Sequence, residues 1–258
     1  MSLEFGLEKN LIKSLKDLKK NYGLKGIKAE FEAEGSSLSD INRLRRITSK
    51  TGVQLYVKIG GVEALRDVYD CYESGIDGII APMVETSFAA KKFLDTISKF
   101  HFKNRPKLTI NIETITGFKN LDSILKILSG NLNNITIGRS DLVGSFFNKH
   151  INVDSKIIIN LIKKIFNTSK KYNIPVTVGG GVSNTTFEIF KKDSFLKKNI
   201  KRIETRKVIF DLKKFTTKKN AIEKAMEFEK LYILSKKEFI DLRMNAEIIR
   251  LSKLTSRI

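Results

Sequence analysis

The chain has 258 residues, 41% of them hydrophobic, and a single cysteine, so it can bury one large core and form no internal disulfide. No apolar run approaches the ~20 residues of a membrane span, and the amino terminus lacks the basic-then-apolar pattern of a secretory signal, so a cytoplasmic protein without a membrane partner is expected. The net charge of +20 suggests nucleic acid, but 37 lysines stand against 11 arginines along helix faces, without zinc-finger or RNA-binding aromatic motifs, which leaves compositional bias or an anionic substrate rather than nucleic acid.

The first periodic segment is 4–22, where Leu3, Leu7, Leu11, Leu15 and Leu18 share one helical side. Strand patterns follow at 26–34, 53–59, 77–81, 107–113, 134–138, 175–179 and 200–210. Helical patterns separate them at 38–51, 61–74, 85–100, 118–129, 154–173 and 184–197. Strict alternation of the two implies a parallel sheet with crossover helices. Seven clear strands come close to the eight of a closed (β/α)8 barrel, and the eighth lies either near 3–6 or within 200–212. No linker or repeat divides the chain. Residues 1–217 therefore read as a TIM-barrel catalytic domain with an N-terminal helix. Residues 218–258 read as a C-terminal helical extension, packed on the barrel or on a neighbouring subunit. The apolar residues of that extension, among them Phe228, Leu231, Tyr232 and Ile240, point to a homo-oligomer.

The strands carry a second pattern. In K-A-E-F-E-A-E over 28–34 and in Q-L-Y-V-K over 54–58, polar residues occupy alternate positions. One face of a barrel strand meets the helices and the other the interior. The apolar set belongs to the helices, so Lys28, Glu30, Glu32, Glu34, Lys58 and Glu113 line the interior, where they must pair with one another or with a ligand. An open sheet with its polar face in water is the competing reading.

Two β-branched runs end in carboxylates, Glu113 and Asp141. Chemistry in parallel α/β folds gathers at strand carboxyl ends, and two carboxylates there suit a hard cation such as Mg²⁺ or Mn²⁺. A strand-end glutamate beside an aspartate that caps the next helix explains the same spacing, and on spacing alone is the commoner case. Glycine-rich turns at 60–61 and 179–181, and the turn holding Gly138, Arg139 and Ser140, follow strands and offer backbone N–H groups to an anion. Each alone is equally a tight turn. His101 falls at the opposite face and His150 reads as a surface residue. No Ser–His–Asp or Cys–His arrangement favours nucleophilic catalysis.

Taken together, G-I-D-G-I-I-A-P-M-V-E-T over 75–86, N-I-E-T over 111–114 and I-G-R-S-D-L over 137–142 resemble the HpcH/HpaI aldolase and citrate lyase β-subunit family. The resemblance runs over about 26–182 and implies a modified TIM barrel of the phosphoenolpyruvate/pyruvate group. It implies a metal-dependent carbon–carbon lyase or aldolase acting on a 2-oxo acid or acyl-thioester (acyl-CoA type) acid through a metal-stabilised enolate, with Glu113 and Asp141 holding Mg²⁺ or Mn²⁺. Lys58 stands where the family carries an arginine, keeping the charge without the bidentate fork. The family's Glu–His pair is replaced by Glu32 and Glu34 with no histidine, so these two glutamates are the candidates for proton handling. Lys58, Pro82, Gly138, Arg139, Ser140 and Gly180 are the candidate substrate-binding residues, and Glu204 and Arg206 could replace missing site groups. A diverged barrel acting as a binding or assembly subunit is the alternative.

Overall fold

The computed structural model describes residues 6–101 and 105–257. Leu3 and the possible strand near 3–6 fall largely outside them. Helix α1 (Gly6–Asn21) leads into β1 (Leu24–Glu30), then α2 (Leu38–Thr51), β2 (Leu55–Lys58), α3 (Leu65–Glu73), β3 (Gly78–Ala81), α4 (Ser87–Ser98) and β4 (Lys107–Ile112). Two short helices, α5 (Ile115–Lys119) and α6 (Leu121–Leu128), precede β5 (Asn134–Gly138), α7 (Arg139–Gly144), α8 (Lys156–Lys171) and β6 (Val176–Gly179). The chain ends with α9 (Asn184–Lys192), α10 (Ser194–Asn199), β7 (Arg202–Glu204), β8 (Val208–Asp211), α11 (Leu212–Phe215) and α12 (Ala221–Thr255).

The eight strands close in sequence order into a barrel. Seven run parallel; β8 runs antiparallel to both β7 and β1. Parallel neighbours need a crossover of a dozen or more residues, and only Thr205, Arg206 and Lys207 separate these two strands. The stretch 200–210 is therefore a hairpin rather than one strand, and it supplies the eighth strand within its own length. Its tip stands at the same face as the carboxyl ends of the seven parallel strands.

Strand alternation sorts the side chains as the sequence pattern requires. Ile27, Leu55, Ile79, Ile110, Ile135 and Val178 are buried in the large core shared with the helices. Tyr56, Ile80 and Ile209 form a separate apolar cluster, drawn from the opposite set of strand positions and so plugging the interior. Above this plug the interior becomes polar and then charged, with Thr136, Asn111, Lys28, Glu30, Lys58 and Glu113 lining a cavity. Strand β1 stops at Glu30 because β2 offers its last carbonyl to Phe31 N–H, from Lys58 at 3.1 Å. Residues 31–34 leave the barrel wall, and Gly35 turns the chain at φ +53°.

Helix α12 is held by its first half. Ala221, Ala225, Phe228 and Tyr232 are buried, and Arg43 of α2 donates to the Ser235 carbonyl at 2.9 Å. Phe228 and Tyr232 are thus covered within their own chain, not left free for a subunit contact. Beyond Phe239 every described residue of the helix is exposed, including Ile240, Met244, Ile248, Leu251 and Leu254. No helix among the described residues is long and apolar enough to cross a membrane.

Candidate active site

A cavity of about 430 Å³ opens at the carboxyl end of the barrel. Glu113 follows β4 directly and is only 3% exposed. Its Oε1 accepts the Met83 N–H at 3.0 Å and its Oε2 accepts Asn111 Nδ2 at 3.1 Å. Met83 adopts a left-handed backbone, φ +49°, uncommon without glycine, which turns its N–H toward Glu113. The carboxylate lies across Gly138 so closely that a Cβ there would strike Oε2; glycine at 138 makes room for it. Burial pushes the Glu113 carboxyl above its ordinary range against the pull of these hydrogen bonds and of Lys58, and the Asp141 charge adds to the rise.

Asp141 sits in the first turn of α7 and lines the same cavity. Every other carboxylate on the wall has a basic partner. Glu30 meets Lys58 at 2.8 Å and Lys28 at 3.3 Å, Glu204 meets Lys28 at 2.9 Å, and Glu229 meets Arg206 at 3.9 Å. Burial would pull Lys28 down, but Glu204 and Glu30 outweigh it and hold the amine above its usual range. Three basic side chains, Lys28, Lys58 and Arg206, thus face five acidic ones, Glu30, Glu113, Asp141, Glu204 and Glu229. The surplus of two negative charges belongs to Glu113 and Asp141, for which no ion pair is found among the described residues. Two carboxylate donors with spare lone pairs fit a hard divalent cation that keeps its other positions for water and substrate. No group of three or more His, Cys, Asp or Glu with metal-binding geometry occurs among the described residues, so any cation here would rely on this pair.

Lys58, Gly138, Ser140 and Gly180 join Glu113 and Asp141 on the cavity wall. Gly180, at φ +78°, lies so near the backbone nitrogens of Arg139 and Ser140 that a Cβ would come within 2.8 Å and 2.6 Å of them. Those nitrogens open α7, where helical N–H groups lack partners within the helix.

Four expected residues are not on this wall. The Arg139 side chain is fully buried and turned away: it donates to the Gly179 carbonyl at 3.1 Å, to Asp154 at 2.6 Å and to Thr186 Oγ1 at 3.3 Å. It clamps the loop before α8 and cannot meet a substrate. Pro82 is half-buried beside the cavity, not in it. Glu32 is exposed, folded over Gly60. Glu34 is ion-paired with the buried amine of Lys207. Both glutamates lie beyond the end of β1, where the alternation no longer tracks the barrel interior. The wall instead gains Asn111, Thr136 and Thr205, together with Ile222, Met226 and Glu229 from α12. Asn111 was legible as the residue two before Glu113; the α12 residues were not, because nothing local places a distant helix.

No protein-family model matches the chain, and no curated protein matches its sequence. Among solved structures the fold recurs. An HpcH/HpaI aldolase/citrate lyase family protein from Burkholderia cenocepacia J2315 superposes with a TM-score of 0.61 at 12% identity, over 75% of this chain and 82% of that one. An HpcH/HpaI aldolase from Desulfitobacterium hafniense DCB-2 gives 0.61 at 13%, over 79% and 83%. The citrate synthase SbnG gives 0.61 at 13%, over 90% of each chain. At such identities the likeness is one of fold, and that fold is the barrel implied by the sequence motifs.

Proposed function

We propose that this protein is a divalent-metal-dependent carbon–carbon lyase or aldolase acting on a 2-oxo acid or acyl-thioester acid. The observation that carries the reading is the pairing pattern: Glu113 and Asp141 are the two wall carboxylates without a basic partner. Mg²⁺ or Mn²⁺ held by them would supply a Lewis acid for the enolate left when the bond next to a carbonyl breaks. The chain's own groups complete the site. Lys58 is oriented by Glu30 and keeps further N–H donors for a substrate carboxylate or enolate oxygen. The first-turn nitrogens of Arg139 and Ser140 add donors beside Gly180. Met83 N–H and Asn111 hold Glu113 in one rotamer. The exposed stripe from Ile240 to Leu254 supports a second copy of the chain as a partner.

The second reading, a barrel that only binds or assembles, is favoured by the engagement of Lys58 with Glu30 and by the lack of a histidine among the described wall residues. Proton exchange separates the two. In D₂O the methyl protons of pyruvate, followed by NMR, should exchange in the presence of the protein and Mg²⁺, and should stop with chelator or with Asp141→Asn. Pyruvate that binds with Mg²⁺ and never exchanges would establish the second reading instead.

A further inference from the structure

Two glycines form a strip of bare backbone on the cavity wall. Gly138 ends β5, Gly179 ends β6, and the two are partners in the parallel register, one strand spacing or about 4.8 Å apart. Each lies under a carboxylate from its outer neighbour. Glu113, after β4, leans over Gly138. Glu204, the last residue of β7, leans over Gly179, where a Cβ would come within 2.8 Å of its Cγ and 3.1 Å of its Oε1. The strip thus carries Glu113 at one edge and Glu204 at the other, with no side chain between them.

The two carboxylates are not equivalent. Glu113 accepts a hydrogen bond on each oxygen. Glu204 is equally buried, at 3% exposure, but its bond falls on one oxygen: Lys28 Nζ donates to Oε1 at 2.9 Å. Oε2 has no partner among the described residues. Glu30 differs again, since Lys28 and Lys58 take one oxygen each, at 3.3 Å and 2.8 Å. Glu204 is therefore the buried, ion-paired wall carboxylate with an oxygen to spare. The turn after it is fixed: Thr205 N–H donates to the Val208 carbonyl at 2.9 Å, and Val208 N–H to Thr205 Oγ1 at 3.1 Å.

We infer that Glu204 is the general base that moves the proton at the carbon next to the substrate carbonyl. The role rests on the function proposed above, which leaves that proton without a carrier once Glu32 and Glu34 lie off the wall. A small acid on the glycine strip has Glu113 and Asp141 at one end and the spare oxygen of Glu204 at the other. In the step, a C–H bond of that carbon breaks and its proton goes to Glu204. The electron pair becomes the C=C bond of the enolate, and the carbonyl oxygen takes the negative charge. Lys28 suits the exchange. Neutralising a carboxylate beside a buried ammonium is costly when it leaves the ammonium alone, but Lys28 keeps Glu30 at 3.3 Å while Glu204 holds the proton.

The test joins NMR of pyruvate methyl exchange in D₂O with calorimetry, on the full chain with Mn²⁺. Glu204→Gln still accepts from Lys28 through its amide oxygen. It should slow exchange at saturating pyruvate about a hundredfold or more and leave the affinities for Mn²⁺ and pyruvate as they were. The glycines supply a second pair of variants that keeps every charge in place. Gly179→Ala pushes Glu204 aside and should slow exchange with Mn²⁺ affinity unchanged, whereas Gly138→Ala pushes Glu113 aside and should weaken Mn²⁺ binding itself. Exchange by Glu204→Gln within a few-fold of the parent, or a loss explained by weaker pyruvate binding, overturns the base and leaves the metal site standing. A parent that binds Mn²⁺ and pyruvate without exchange overturns the base and the lyase reading together, and one that binds no Mn²⁺ removes the metal site as well.

Discussion

Replacing Glu113 by glutamine should have opposite effects on stability with and without a cation. The carboxylate is 3% exposed, and its burial outweighs the bonds from Met83 and Asn111 and the attraction of Lys58. A neutral side chain of the same shape relieves that cost. Glutamine can keep the Met83 N–H on its oxygen, but its amide nitrogen then faces Asn111 Nδ2, donor against donor. Asn111 Oδ1 is buried with no partner, so turning that amide gives Oδ1 the new N–H and restores the bond. In chelator at neutral pH, Glu113→Gln should therefore lie within about 1 kcal/mol of the parent or above it. The linkage has the same sign. A folded pKa raised above the unfolded value gives stability that is fully present below about pH 4.5 and falls as pH rises through the folded value. The variant should lack that fall. With Mn²⁺ at about a hundred times its Kd the parent should gain about 2.7 kcal/mol, roughly 5–10 °C in Tm for a chain of this size. The variant should gain nothing. Thermal denaturation followed by circular dichroism, in chelator and in Mn²⁺, reads both effects. A variant several degrees below the parent in chelator would refute the burial argument. A midpoint that still rises with Mn²⁺ as the parent's does would refute Glu113 as a ligand.

Lys28→Met removes the partner of Glu204 and one of the two partners of Glu30, and should cost about 3–5 kcal/mol in urea denaturation. Lys58→Met leaves Glu30 with Lys28 and should cost less, about 1–3 kcal/mol. Burial would raise the Glu30 carboxyl, but Lys28 and Lys58 together hold it below the ordinary range. Its contribution is thus present above pH 4.5 and lost as pH falls through the lower folded value, and Glu30→Gln should flatten that part of the acid limb of a stability–pH curve. Arg139→Lys loses the fork that joins Gly179, Asp154 and Thr186; denaturant midpoints should drop while calorimetric Mn²⁺ affinity holds. Deleting the chain from residue 240 onward removes only exposed helix among the described residues, so the melting midpoint should stay within a few degrees while light scattering shows a homo-oligomer becoming monomer.

The legible parts of this molecule are those whose cause is local. The period-2 alternation of 54–58 and 107–113 placed Lys58 and Glu113 on the barrel interior, and both are there. The same pattern over 28–34 placed Lys28 and Glu30 correctly and Glu32 and Glu34 wrongly. Alternation continues past the last strand residue, but only pairing with β2 keeps a side chain on the wall, and that pairing ends at Glu30. The helical pattern over 38–51 matches α2, which a capping box between Ser37 and Asp40 opens and Gly52 closes in a left-handed conformation. The pattern over 184–197 predicts one helix, yet Asp193 accepts the Leu196 N–H and starts a second.

What the sequence concealed is what depends on distance along the chain. A buried arginine and a substrate arginine look alike in G-R-S-D; Asp154, Thr186 and the Gly179 carbonyl decide the matter, and they lie 15, 47 and 40 residues away. The run 200–210 reads as one strand because the turn residues Thr205, Arg206 and Lys207 include no glycine or proline to mark a reversal. Its folding back is imposed by closure: β1 and β7 would otherwise leave open edges, and seven parallel strands do not seal this barrel. That reversal is also what brings a basic turn to the carboxyl face and lets α12 climb beside it, so that Glu229 of the last helix shares a cavity wall with Glu113, the residue after the fourth strand. The motifs specify Glu113 and Asp141 locally, whereas the charge at the far side of the cavity follows from how the barrel closes.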